Sequence, residues 1–310
     1  MPNQQSIIVH IDRVLTVNNL SSFMQKINNI FIWKEQMLPN FHLDLLNTED
    51  ADLLGIVVLY KMLEYSVVHK CFIQPSIYLS NKLKTFIKKY GFSDLVTELM
   101  KQKDIKSEFE NLKPEIKDDF FVAPIALWSG HKISQKDWNY RLYPLINNYY
   151  KNENISLMIF QFFTELYSNF LSHSHDQSKS IMVAHGTNKW IEIACVDTGI
   201  GIVESLRKKY PKKRKKDVLW SAMQKKVSSN LNDGHMGYGL WTIDETIKLL
   251  GAKLQIWSNG AYYRRLGKKI WLSDSVNWTG VIIYVRFPVE YPILFKDIEK
   301  NNNDNLVNFI

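Results

Sequence analysis

Cysteine is nearly missing from this chain: only Cys71 and Cys195 occur in 310 residues, both inside apolar, strand-like stretches. A disulfide framework cannot be built from such a pair, so a reducing, cytoplasmic setting is the expected one. Long apolar runs are missing too. The longest, Leu53 to Tyr60, falls far short of the roughly 20 residues a membrane-spanning helix needs, and the polar start Met1-Pro2-Asn3-Gln4-Gln5 does not read as a signal peptide. No membrane association is expected. Internal repeats are absent, and no low-complexity tract exceeds Asn301-Asn302-Asn303. His175, Asp176 and His185 match no zinc-ligand spacing and read as a solvated loop and its flank. What remains is 45% hydrophobic and 23% charged, an ordinary globular composition, long enough for two domains that each bury a core.

Charge is concentrated rather than spread. Arg207, Lys208, Lys209, Lys212, Lys213, Arg214, Lys215 and Lys216 carry eight positive charges, which equals the formal net charge of +8, so the rest of the chain is formally neutral. A neutral body with one basic loop is expected. Three uses of that loop remain open: a solvated, partly disordered segment, a contact to a nucleotide phosphate, or a contact to nucleic acid in which Tyr210 stacks on a base. No recognised nucleic-acid motif accompanies the charge.

The most informative feature is an ordered series of polar and glycine positions. Glu165, Asn169 and His173 are spaced by four, which puts a carboxylate, an amide and an imidazole on one helical face, about 6 Å apart along the axis. The apolar run Trp190 to Val196 reads as a strand leading into Asp197-Thr198-Gly199-Ile200-Gly201. Gly234-His235-Met236-Gly237-Tyr238-Gly239 follows, and Leu240 to Ile243 opens an apolar-periodic helix directly after Gly239. Glycines allow backbone N–H groups to approach phosphate oxygens, and a helix N-terminus there favours an anion. Asp197 either closes a turn or accepts from an amino donor at the strand end; His173 reads as a cap or a packed side chain.

Together these segments, over about residues 136–290, resemble the GHKL, or Bergerat-fold, ATPases. The resemblance implies ATP and magnesium as ligands. It assigns the magnesium to Asn169, a catalytic polarising role to Glu165, and the exocyclic amine of adenine to Asp197. It places the remaining nucleotide contacts at Gly199, Gly201, Gly237, Tyr238, Gly239, Leu240, Thr279 and Gly280, and a mobile lid over the nucleotide at the basic run. One departure stands out. The family pattern opens its last strand with Gly-Thr and closes it on proline; Gly280 and Pro288 fit, but Val281 occupies the threonine place and Thr279 comes one residue early. Thr279 substitutes by a local shift, or that contact is missing.

The first hundred residues alternate strand and helix patterns: strands at Ser6 to Ile11, Phe41 to Leu46 and Cys71 to Gln74, and helices at Leu20 to Phe31, about Asp50 to Val68, and Leu83 to Tyr90 before Gly91. This part resembles a STAS domain, the interaction module of anti-sigma-factor antagonists. Asp50 is followed by Ala51 and Asp52, so the phosphoacceptor of those antagonists is absent, and Thr48 is misplaced for it.

The expected organisation is therefore a two-domain α/β protein: a STAS-like α/β domain at 1–105, a linker with one docking strand at 106–135, a Bergerat-type sandwich with a mixed sheet covered by helices at 136–292, and a polar tail at 293–310. The expected function is a cytoplasmic ATP- and magnesium-binding regulatory protein in which the nucleotide state of the lid loop controls a protein partner or the STAS-like domain, with slow ATP hydrolysis and a homodimer as options. A serine/threonine protein kinase of the anti-sigma type and a nucleic-acid-directed ATPase are the alternatives. A sensor histidine kinase fits poorly, because His10, His42, His69 and His131 lack both a heptad helix and an acidic neighbour.

Overall fold

A computed structural model of the chain describes residues 7–92, 115–116, 121–127, 142–173, 180–227, 239–294 and 298. The fold is mixed α/β, with one parallel and one antiparallel main sheet. The N-terminal part runs β1 (Ile7–His10), β2 (Val14–Leu15), α1 (Leu20–Ile27) with a 3-10 turn at Asn28–Phe31, β3 (Leu38–Leu45), β4 (Asp50–Ala51), α2 (Leu53–Val68), β5 (Phe72–Leu79) and α3 (Asn81–Lys89). Strands β1, β3 and β5 lie parallel in that order, as helical crossovers between successive strands require.

The larger part continues with β6 (Glu115–Ile116), β7 (Phe121–Leu127), α4 (Tyr143–Tyr150), α5 (Glu153–His173), β8 (Ser180–Gly186), β9 (Trp190–Val196), α6 (Ile202–Ser205), α7 (Lys215–Ala222), α8 (Gly239–Leu249), β10 (Lys253–Ser258), β11 (Ala261–Leu266), β12 (Lys269–Asp274) and β13 (Val281–Pro288). Eight strands form one sheet in the order β12-β11-β10-β13-β9-β8-β7-β6. Every described pair in it is antiparallel, so the mixed sheet expected from the sequence is corrected. Short hairpins dictate this: Asn259 and Gly260 both have positive φ and join β10 to β11, the combination a two-residue reversal demands.

Both faces of this sheet are covered. Ile191, Ile193 and Cys195 of β9, with Val281, Ile283, Val285 and Phe287 of β13, point to a front core shared with α4 to α8. Ala194, Val196, Ile282 and Tyr284 point to a back core shared with the N-terminal part. Buried faces on both sides explain why these strands read as nearly continuous apolar runs.

The separate N-terminal core expected from the sequence is not what the chain builds. Helix α2 is apolar almost all round, and every residue from Leu53 to Ser66 is buried. A helix of that kind has no solvent side. It packs between its own small sheet and the back of β8 and β9, so one core crosses from one part to the other. Gly55 permits close entry, since a Cβ there would lie 2.0 Å from the Leu15 carbonyl oxygen. Asp52 caps the helix, accepting from Gly55 N at 2.9 Å and from Val17 N at 2.7 Å. Burial pushes its carboxyl up to about 6 against those two hydrogen bonds, with the Glu192 charge adding to the rise and Lys253 opposing it.

No helix among the described residues is long and apolar enough to cross a membrane.

Candidate functional site

Helix α5 is 21 residues long, and its apolar stripe Met158, Ile159, Phe162, Phe163 and Leu166 is buried in the front core. Phe162 stacks on Phe287 of β13 with ring centroids 4.5 Å apart, which pins the helix to the sheet. Glu165 and Asn169 emerge from the flank of that stripe, where α8 begins. A Cβ on Gly239 would sit 2.5 Å from Glu165 Oε2 and 3.4 Å from Asn169 Nδ2. Without a side chain at 239 the α8 N-terminus comes this close while the Glu165 carboxylate keeps its place. Asn169 Nδ2 is buried and has no hydrogen-bond partner among the described residues, and burial raises the Glu165 carboxyl above its ordinary range. A buried amide donor left unpaired costs about 1–3 kcal/mol, so it asks for a functional explanation.

The middle of α8 is held firmly. Arg265 of β11 binds Asp244 of α8 through two hydrogen bonds, and the Tyr263 hydroxyl donates to Asp244 Oδ1 at 2.6 Å. All three side chains are buried, and Ile243 and Ile247 fill the core beside them.

A second group forms where β9 ends. Asp197 N donates to Val281 O at 2.9 Å, and Asp197 Oδ1 accepts from Gly199 N at 2.9 Å and Val281 N at 3.3 Å. The carboxylate therefore closes the turn, the plainer of its two expected roles, while remaining at the strand end. Gly280 has φ +100°, and a Cβ on it would come within 2.5 Å of both Asp197 O and Asp197 Oδ1. Gly201 has φ +84°, and its missing Cβ would collide with Asn259 Oδ1 at 2.2 Å. Thr279 is half-buried immediately before Gly280.

Three residues that the sequence reading passed over tie this group together. Ser258 Oγ accepts from Ile202 N at 2.9 Å and lies 2.9 Å from Gly280 O. Asn259 Nδ2 donates to Ile200 O at 2.9 Å, and Trp278 Nε1 donates to Asp197 O at 2.8 Å. The usable signal was Asn259-Gly260, the strongest short hairpin mark in a sequence, which fixes where β10 must reverse.

Strand order puts both groups at one end of the sheet. β9 ends and β13 begins there, because Val196 pairs with Ile282; β10 ends there, because Ser258 pairs with Val281. β8 starts there, with Ile181 opposite Val196, so α5, six residues upstream of β8, points its Glu165–Asn169 half the same way. α8 runs toward the opposite end to reach Lys253 at the start of β10, which leaves Gly239 at this end. The structure thus gathers Glu165, Asn169, Gly239 and half-buried Leu240 on the helical layer, and Asp197, Gly199, Gly201, Thr279 and Gly280 on the strand ends. Gly237, Tyr238 and the rest of 234–236 lie outside the described residues, as do His175, Asp176 and the side chain of His173. His185 belongs elsewhere: it faces the back core and pairs with Glu192 at 3.0 Å.

The basic run is not one loose loop. Lys215 and Lys216 start α7, and the preceding turn is internally bonded, with Arg207 Nη1 donating to Lys213 O at 3.0 Å and Lys213 Nζ to Ser221 Oγ at 2.9 Å. Lys213 also stands 4.3 Å over the Tyr210 ring, which leaves that ring half-buried. Lys208, Lys209, Lys212 and Lys215 remain exposed. Of the readings open for this run, the solvated, partly disordered loop is corrected to an ordered turn leading into a helix.

No cluster of three or more His, Cys, Asp or Glu side chains suited to a metal occurs among the described residues. One amide and one carboxylate suit magnesium, which keeps water or phosphate oxygens for most of its coordination. No protein-family model, no curated protein and no solved structure matches the chain.

Proposed function

We propose that the chain binds a purine nucleoside triphosphate with magnesium at this end of the sheet, in the manner of the GHKL ATPases, and that it relays the bound state to a protein partner through a STAS-like N-terminal layer. The observation that carries this reading is the corner of Glu165, Asn169 and Gly239, where a buried amide donor with no partner among the described residues meets the N-terminus of an 11-residue helix. Backbone N–H groups at such a terminus attract phosphate, and the amide and carboxylate beside it would hold the cation that neutralises the phosphates. Glu165, raised by burial, is suited to take a proton from water or a hydroxyl, and Asp197 offers an acceptor to an exocyclic amine.

The relay has a short physical path. Trp278 donates to the Asp197 carbonyl and meets Phe31 edge to face at 5.2 Å. One indole therefore touches both the adenine-side turn and the N-terminal layer.

Isothermal titration with ATP and ADP, with and without magnesium, tests the assignment. Asn169→Ala is expected to lose magnesium-dependent binding; undiminished affinity in that variant would overturn the site. Incubation with labelled ATP and co-purified proteins then separates outcomes. Free phosphate indicates hydrolysis, label on a partner indicates the anti-sigma-type kinase reading, and binding with neither indicates a nucleotide switch. Retention of nucleic acid in a gel shift at low salt would instead favour a nucleic-acid-directed ATPase that uses the exposed lysines.

A further inference from the structure

The large sheet ends in a free strand whose sequence is complementary to itself. β12 pairs with β11 along six consecutive residues with no bulge and no proline, and no strand flanks its other side among the described residues. Natural sheets blunt such edges with bulges, proline or inward charges, because unpaired N–H and C=O groups template another strand. Here the middle of the edge is apolar instead: Ile270 is 36% and Trp271 42% exposed, while charge is confined to the ends, Lys268 and Lys269 at one and Asp274 at the other.

We propose that β12 is a homodimer interface, at which a second copy of the chain adds its own β12 antiparallel to the first and continues the sheet. Two antiparallel strands in one sheet are related by a two-fold axis perpendicular to it, which keeps each sheet face on its own side. Only residues on the same face can then stand opposite one another. With the axis at Trp271, that residue faces its own copy, Ile270 faces the second copy's Leu272, and Lys268, in the turn just before the strand, comes beside the second copy's Asp274. Moving the axis to Leu272 would set Ile270 against Asp274, which matches neither charge nor polarity. On the back face each Trp271 is already stacked by Arg264 at 4.8 Å, so the indole is oriented before any partner arrives. The front-face pair extends the cluster in which Leu272 packs.

The register gives a test that no other surface mimics. Cys71 and Cys195 are both buried, so Trp271→Cys introduces the one accessible thiol among the described residues. Paired Cα atoms across antiparallel strands lie about 4.5–5.5 Å apart, within disulfide reach. Mild oxidation should convert Trp271→Cys to a covalent dimer, while Leu266→Cys, equally exposed at 42% on β11, should stay monomeric. In sedimentation equilibrium, Lys268→Asp and Asp274→Lys should each weaken the dimer about tenfold, since two opposite-charge pairs become like-charge pairs. An equimolar mixture of those two variants restores both pairs and should recover the wild-type constant. Wild-type protein that stays monomeric up to about 100 µM, where even weak specific contacts populate, overturns the proposal. A dimer indifferent to both charge variants, or equal cross-linking at position 266, overturns it too. ATP titration of the same variants is expected to be unchanged, so failure here is distinguishable from failure of the nucleotide site.

Discussion

Arg265 grips Asp244 with two parallel hydrogen bonds of 2.5 Å, Nε to Oδ1 and Nη2 to Oδ2, and both side chains are at least 95% shielded from water. The pair fastens the middle of helix α8 to strand β11, far from the sheet end where Gly239 meets Glu165. Burial raises the Asp244 carboxyl, and Arg265 and Tyr263 pull it back. Removing one partner leaves the other charge buried and unpaired. Arg265→Ala is therefore expected to destabilise the protein by about 3–5 kcal/mol in denaturant titration, while an apolar replacement of both, Arg265→Met with Asp244→Leu, should cost much less.

Gly239→Ala separates folding from binding. The new methyl would meet the tip of a flexible carboxylate rather than backbone, so Glu165 can swing away. Gly239 is not among the positive-φ glycines, and alanine at a compatible backbone position stabilises by about 0.4–1 kcal/mol through the unfolded chain. Thermal stability should hold or rise slightly. Nucleotide affinity by calorimetry should fall at least about tenfold, because the displaced carboxylate and the added methyl would both occupy the proposed phosphate side of the corner.

Two glycines with positive φ should respond very differently to alanine. At Gly280 the methyl would meet the Asp197 main chain at 2.5 Å, which cannot yield, on a φ of +100°. At Gly251 the φ is +63° and nothing lies within 4 Å. Gly251→Ala should cost about 1 kcal/mol of conformational strain. Gly280→Ala should cost several times that and lose nucleotide binding, as read from paired denaturation and titration curves.

Asp52 makes stability depend on pH in a defined direction. Its folded carboxyl titrates near 6, against an ordinary value of 3.8, chiefly because α2 buries it. A raised folded value stabilises the protonated native state, so this contribution is complete below about pH 4 and is lost as pH rises through about 6. Asp52→Asn preserves a capping side chain without the titration. Wild-type stability relative to Asp52→Asn should decline between pH 4 and pH 7 by on the order of 2 kcal/mol; parallel curves would reject the assignment.

The sequence made some elements legible and hid others for physical reasons. Trp190 to Val196 and the helix after Gly239 were readable, because apolar runs bounded by aspartate and glycine have few local alternatives; β9 and α8 occupy those places. The helical face expected from the spacing of Glu165, Asn169 and His173 falls within one helix, α5, Glu153–His173. β5 was cut short at Gln74 because Pro75 reads as a breaker, yet the strand continues to Leu79; it lies at the edge of its sheet, where a missing N–H is tolerated. The helix expected from Asp50 begins only at Leu53, since Asp52 spends its side chain capping it. The shared core was hidden in plain view. β9 and β13 are apolar at successive positions, which signals cover on both faces, but periodicity cannot say that the second cover comes from residues more than a hundred positions earlier. Ser258 and Trp278 carry no motif and acquire their roles only through strand pairing.

The indole of Trp278 touches Phe31 on one side and the Asp197 carbonyl on the other, beneath a helix with no wet face. Severing the chain after the first hundred residues would strip the lining from Trp257, Trp278, Ile282 and Tyr284 and leave a sticky aromatic plate on the remaining fragment. The two halves are therefore inseparable in a practical sense: the fragment carrying the Glu165–Asn169 corner should clump when expressed alone, and regain dispersity when residues 1–105 are supplied alongside it.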